Sequence, residues 1–522
     1  MDNELIGAGN DSIESKRRPY LGMTGTRLNI WVTVACTTAM TLFGYDQGVY
    51  GGIIVTPNFL DTMGNPNPAL QGTIVSLYDI GCFLGAMSAL LFGDKTGRKK
   101  AFLIGVIVMS VGSILQTCAY SVPQLIVARL ITGLGNGVNT AVAPVWQSET
   151  SKASLRGRLV VLSMIMNIAG FSLSNWMTYG FSFLDGSITW RFPIAFQLVF
   201  SFILLSTAPW LPESPRWLLA HDHYREGLQV LAALEGNGAT ATDEVIVDHA
   251  EEILAAVRAE REKIPSWSNI LHGRTGDTGM IQRLCLGVGT QWMQQLAGIN
   301  VTSYYLPLVL QNSVGLSNNL SRLLAACNSV SYLIFSFAGL VLIERAGRRK
   351  MMMWGAAGQF ICYAFVAALL SQTDDPVHGK SKYFAFENVC ILDNLVGSKG
   401  IPWLYPTEIN SLSMRNKGAA LGTASNWISN YMVVQITPIG IANLGWKFYL
   451  IWMSFNAIFV PLIWLVYPET ANRHLEDIDK LYRDNSSMIF VYKNKEATQV
   501  ERPQRLIDAD RERLEVTRKL KL

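Results

Sequence analysis

Apolar residues run in long blocks along this chain, and the charges gather between the blocks. The apolar runs lie near 28–54, 70–92, 101–119, 123–146, 159–184 and 192–211, and again near 281–311, 320–343, 351–371, 383–406, 416–441 and 446–467. A run of about 20 residues, rising 1.5 Å per residue as a helix, spans the hydrocarbon of a bilayer. The pattern predicts an all-α integral membrane protein with twelve transmembrane helices in two six-helix bundles, 28–211 and 281–467. Residues 212–280 between them are polar. Asp243-Glu244, Glu251-Glu252 and the charged run from Arg258 to Lys263 read there as short amphipathic helices on a wet surface. Tails at 1–27 and 468–522 flank the bundles, the second charged and part helical.

The two halves share motifs. Gly93-Asp94-Lys95-Thr96-Gly97-Arg98-Lys99-Lys100 is echoed by Glu344-Arg345-Ala346-Gly347-Arg348-Arg349-Lys350. Pro212-Glu213-Ser214-Pro215-Arg216 is echoed by Pro468-Glu469-Thr470, and Glu149 with Arg156 by Glu408 with Arg415. A repeat of about 250 residues, built of apolar segments with basic hinges, implies two similar membrane bundles facing each other across a central site.

Composition agrees and sets the orientation. Half the 522 residues are apolar and 16% are charged, against about 25% charged in an ordinary soluble chain. A net charge of +4 is too small to suggest a nucleic-acid partner. Lys and Arg crowd the loops at 93–100, 147–158, 344–350 and 411–417 and the polar insert, whereas 55–69 and 119–123 hold none. The positive-inside rule places the rich loops and both termini in the cytosol. Lys16, Arg17, Arg18 and Arg27 precede the first apolar run, as expected of a first helix that is retained rather than cleaved. The seven cysteines form no Cys-x-x-Cys spacing, and none of the six histidines falls inside a confident span. No metal site or cofactor is expected. The sequon Asn319-Leu320-Ser321 falls on an outward loop, where it is a candidate for a glycan.

Further motifs occur in a fixed order. Phe43-Gly44-Tyr45-Asp46-Gln47-Gly48-Val49 lies in the first span, Arg129 opens the fourth, and Gln294-Gln295-Leu296-Ala297-Gly298-Ile299-Asn300 with Tyr304-Tyr305 lies in the seventh. Pro402-Trp403 and Asn426-Trp427 lie in the tenth and eleventh. With the paired basic turns, this set resembles the sugar porter family of the major facilitator superfamily over about residues 28–480. The wording of the first two spans resembles fungal sugar and polyol proton symporters. The resemblance implies alternating access of a monomer in the plasma membrane, with a small neutral hydroxylated solute and a proton as partners and the lipid bilayer as solvent.

The residues carry their own chemistry beside this. A carboxylate inside the bilayer costs roughly 2.5–3.5 kcal/mol and needs a partner, water or a proton. Asp46 is such a group. Arg129 is its expected partner, and the resemblance implies the same pairing. Together they serve proton coupling, or hold the first and fourth spans as a static pair. Asp79 is a second buried acid, either assisting the proton path or bonding a neighbour such as the eleventh span. Gln295 and Asn300 lie about 140° apart on a regular helix, and Gln294 and Asn300 about 120°. A break at Gly298 would let all three line one cavity. Their amides offer donors and acceptors to hydroxyl groups, or bond between helices. Asn426 and Asn167 fit the same role, and Trp403 and Trp427 offer flat faces to a sugar ring. Asp94, Arg98, Glu149, Arg156, Glu213, Arg216, Glu344, Arg348, Glu408, Arg415 and Glu469 form a charge network at helix ends. It is expected to bridge the halves when the protein opens outward.

Three departures from the family pattern stand out. Met164 falls where the resemblance implies a Gln, and Tyr332 where many hexose carriers have Asn, with Asn328 one turn away. Glu387, Asp393 and Lys399 interrupt the tenth span. Rival readings are a carrier with no coupled ion and a nutrient sensor that carries little. An integral-membrane enzyme lacks motif support, because no HExxH, GxSxG or phosphate-loop pattern occurs.

Overall fold

Helices follow the hydrophobic runs and usually overshoot them. The computed structural model describes residues 19–151, 156–263, 279–313, 315–371, 401–411, 414–473, 475–485, 489, 491–505 and 508. In the first half the spans are Gly25–Ile53, Pro68–Thr96, Arg98–Thr117, Val122–Thr150, Arg156–Phe181 and a sixth in two pieces, Ile188–Ala195 and Gln197–Thr207. The insert supplies Pro215–Ala220, Tyr224–Glu235 and Glu244–Lys263. In the second half the seventh span is also in two pieces, Met280–Leu296 and Ile299–Asn312. Asn318–Ala346, Arg348–Ser371, Ile401–Ile409, Arg415–Leu444 and Lys447–Val466 follow, and Leu475–Asp484 lies in the tail. The described residues contain no strand. The doubtful start of the tenth span, with Glu387, Asp393 and Lys399, lies outside the described residues; Ile401–Ile409 is its described end.

Eight of these helices are long and apolar enough to cross a membrane by length and composition. The seventh falls short because it is broken, and the eleventh because Ser425, Asn426, Ser429, Asn430, Gln435 and Thr437 load it with polar groups. Helix starts follow local rules. Pro68 opens the second span behind Asn67, whose side chain accepts from Leu70 N at 2.8 Å, and Ser214 caps Pro215–Ala220 by accepting from Trp217 N at 3.1 Å. In the insert, Asp243 accepts from the hydroxyl and N–H of Thr240, which hold its carboxyl below the usual range.

The basic turns differ most from the sequence expectation of loops at 93–100 and 344–350. Each is a single glycine between two helices. Gly97 (φ +85°) separates the second span from the third, and Gly347 (φ +83°) the eighth from the ninth. Both take the left-handed region, and a Cβ on either would collide with the carboxylate of Glu213 or Glu469.

Packing repeats as the motifs do. The first span lies along the fifth, and the first piece of the seventh along the eleventh. Across the halves, the second span packs on the eleventh, the fifth on the eighth, and the first on the outer piece of the seventh. Adding six to each span number turns the second–eleventh pair into the eighth–fifth pair, as a pseudo-twofold arrangement requires.

Candidate functional site

The break in the seventh span builds the centre of the molecule. Gly298 has φ +88°, and its carbonyl accepts from the Tyr363 hydroxyl at 2.7 Å. A side chain there would meet that hydroxyl, so both conformation and space require glycine. The break brings Asn300 back over Gln295, with Asn300 Nδ2 to Gln295 Oε1 at 2.7 Å. Beside it, Asn426 Nδ2 donates to Gln291 Oε1 at 2.6 Å and to Gln294 Oε1 at 3.2 Å. Gln291 Nε2 in turn donates to Pro402 O at 2.7 Å.

Gln294, Gln295, Asn300 and Asn426 border a cavity of about 130 Å³ between the halves, with Gln291 behind them. All six predicted solute contacts line it: Gln294, Gln295, Asn300, Trp403, Asn426 and, from the first half, Asn167. Trp427 does not. It is buried edge-on against Phe43, with ring centroids 5.5 Å apart, and against Tyr78. Met164 and Tyr332, the two departures, are on the wall, as are Gln47 and Asn430.

Asp46 and Arg129 form the expected pair. Arg129 Nη1 meets Asp46 Oδ2 at 3.0 Å, and both side chains are fully buried. The guanidinium is well satisfied otherwise. Nε donates to Ile74 O at 3.3 Å and Nη2 to Val75 O at 3.0 Å, while the rings of Tyr50 and Tyr78 flank it at 4.1 and 4.4 Å. Asp46 Oδ1 completes no hydrogen bond of good geometry, and the Tyr78 hydroxyl and the Gln197 amide are the donors nearest the carboxylate. The pair does not line the cavity. Its neighbour Gln47 does, because consecutive helix positions point about 100° apart.

At the end opposite the basic turns, bonds close the halves on each other. Asn318 Nδ2 donates to Val55 O at 2.6 Å, Arg322 Nη2 to Thr56 Oγ1 at 2.8 Å and Ser76 Oγ to Gln435 Oε1 at 2.7 Å.

Residues 31–482 match the family model described as "Sugar (and other) transporter". The chain belongs to this sugar transporter family of the major facilitator superfamily. MFS-type transporter oryC of Aspergillus oryzae is 48% identical over 508 residues, covering 96% of this chain and 94% of that protein. Sugar transporter STL1 of Saccharomyces cerevisiae is 33% identical over 493 residues, covering 90% and 84%. Among solved structures, the proton:xylose symporter XylE bound to 6-bromo-6-deoxy-D-glucose matches with a TM-score of 0.71 at 21% identity. That match covers 88% of this chain and all of XylE, and shows a shared fold. The family is one of membrane carriers, not enzymes.

In this transporter the charge motifs do something the sequence did not disclose. Glu213 caps the third span, accepting from Arg98 N at 2.9 Å and Lys99 N at 3.0 Å. Glu469 caps the ninth in the same way, accepting from Arg348 N at 2.8 Å and Arg349 N at 3.1 Å. Arg98 pairs with Glu149 at 3.2 Å and Arg348 with Glu408 at 2.9 Å. Each of these pairs lies within one half; the bridge between halves is expected of the outward-open state, and here the outer end is closed. The side chains of Asp94, Arg156, Glu344 and Arg415 lie outside the described residues. Asn319 is exposed on the first turn of the eighth span, while Ser321 of its sequon is buried and donates to Ser317 O.

Sequence reasoning missed Asn430, Gln291 and Gln47. Asn430 follows Asn426 by four and Gln291 precedes Gln294 by three, so helical spacing placed each beside a residue already chosen.

Proposed function

We propose that this chain is a proton-driven symporter of a neutral hydroxylated solute, a sugar or polyol. It works as a monomer in the plasma membrane with both termini in the cytosol. Residues 28–211 and 281–467 move against each other by alternating access.

The observation that carries this reading is the Asp46–Arg129 pair. A carboxylate sealed from water is held by a single cation, one residue from the cavity wall. When a proton neutralises Asp46, Arg129 keeps its two carbonyls and its two aromatic faces. The cation is therefore not stranded by losing its counter-charge. Those carbonyls belong to the second span, so a change at Asp46 is felt there at once. Amides from the seventh and eleventh spans supply both donors and acceptors to solute hydroxyls. Trp403 supplies a flat face. The names of the relatives, a sugar transporter and a xylose symporter, support the solute class. A membrane potential adds about 2.3 kcal/mol per charge per 100 mV, enough to concentrate a neutral solute that enters with a proton. In the outward-open state the two basic ends come together, and their charges bias that state by a sum of small terms, each about 0–1 kcal/mol.

The test is uptake into proteoliposomes of a panel of hexoses, pentoses, disaccharides, polyols and quinate, with and without an imposed proton gradient. At least one solute is expected to accumulate only with the gradient, and Asp46→Asn to abolish accumulation while leaving exchange. Uptake that ignores the gradient and survives Asp46→Asn would instead mean a facilitator.

A further inference from the structure

A second buried acid lies outside the Asp46–Arg129 pair. Asp79 lies in the second span at its seam with the eleventh, and is fully buried. Asn430 Nδ2 donates to its Oδ1 at 2.9 Å, while Oδ2 meets no donor among the described residues. The bonds of Arg129 go to Asp46, Ile74 and Val75. From Asn430 a chain of amides leads inward. Asn430 Oδ1 accepts from Asn300 Nδ2 at 2.6 Å, and Asn300 also holds Gln295. Asn430, Asn300 and Gln295 line the cavity, and Asp79 does not. The chain crosses from the first half to the second, so it exists only while the seam is shut.

The charged and titratable groups around Asp79 are Arg129 of the fourth span, Asp46 of the first, Tyr304 and Tyr305 of the seventh, and Tyr78 and Cys82 of its own helix. The eleventh span presents the neutral amide of Asn430. A bare carboxylate closed into this seam would keep one donor for all its lone pairs and no cation of its own. Such a group is expensive to bury, and a proton on the free oxygen removes the charge.

We propose that Asp79 binds a second proton, distinct from that of Asp46, and that this proton licenses closure of the seam. It is taken from external water onto Oδ2 while the second and eleventh spans are apart. The proton and the solute are linked because Asn430, which meets Asp79 on closure, is also a wall of the solute cavity. The proposal rests on the carrier reading above, but it is tested without any solute.

The experiment places a cysteine in the seam by Ser76→Cys, next to Gln435, in the full chain on intact cells. A membrane-impermeant maleimide is applied over external pH 5 to 8, labelling at that one position is read by peptide mass spectrometry, and each rate is divided by that of Asp61→Cys, exposed in the 55–69 loop, at the same pH, which removes the thiol's own titration. With Asp79 present, labelling should fall several-fold as the buffer is acidified. In Asp79→Asn, a neutral isostere, it should be low and flat. In Asp79→Glu and in Asp46→Asn the slope should persist. Asp79→Ser repeats the comparison if Asp79→Asn does not elute as a single species. The proposal is overturned by no slope with Asp79 present, by an unchanged slope in Asp79→Asn, or by a slope removed by Asp46→Asn alone. None of these outcomes touches the gradient dependence of uptake, so failure here and failure of the symport reading are distinguishable.

Discussion

The two halves of this carrier agree at their basic ends and part company in the middle. At the ends, Glu213 and Glu469 cap equivalent helices, and Arg98–Glu149 is repeated as Arg348–Glu408. In the middle, the first half buries charge at Asp46, Arg129 and Asp79, while the seventh and eleventh spans of the second half present amides. The difference separates two jobs. Shaping a helix end is the same task in both halves and keeps the same solution. In the symport proposed above, proton binding falls to the buried charges of the first half, and holding hydroxyl groups falls mostly to amides of the second, with Gln47 and Asn167 of the first beside them.

Breaking the middle of the first half should do the most damage. Arg129→Ala leaves the Asp46 carboxylate buried without its cation, a loss of about 3–5 kcal/mol, visible as a large drop in melting temperature of the purified protein. A drop no greater than that of a surface variant would mean the pair carries little. In the second half, Asn426→Ala removes the donor shared by Gln291 and Gln294. About 1.5 kcal/mol of lost hydrogen bonding corresponds to a roughly tenfold rise in the solute concentration for half-maximal uptake, with a smaller melting shift than Arg129→Ala. Equal melting losses would blur the division of labour. The smallest effects belong to the ends. Glu213→Gln and Glu469→Gln should each cost about 0.5–1.5 kcal/mol through a weakened anionic cap. Matched melting shifts support the repeat, and a clear mismatch shows that the two ends no longer do the same work.

Much of this was legible in the chain. Hydropathy and the paired turns disclosed the spans and the repeat, and Gly298 between Gln295 and Asn300 disclosed the broken helix. The Asp46–Arg129 pair was legible because two opposite charges in apolar segments have few ways to coexist. What stayed hidden depended on facing. Asn430 is a cavity wall and the partner of Asp79 at once, and spacing alone cannot say which neighbour an amide on a polar helix will meet. Trp427 and Trp403 looked alike in sequence, yet one fills the seam and the other the cavity wall, because they sit on different helices at different angles to the opening. Glu213 and Glu469 looked like ion-pair partners. Their carboxylates instead reach backbone N–H groups exposed by helices that begin one residue after a glycine, a geometry set by backbone direction rather than by charge pattern.

That one-residue joint has a mechanical consequence. Gly97 and Gly347 leave no slack between the helices they connect, and each is clamped from below by a carboxylate. In the alternating access proposed above, a tilt of the second or eighth span would therefore be passed on to its successor, as a rod turns a crank, and each half would swing as a single lever about its gripped elbow.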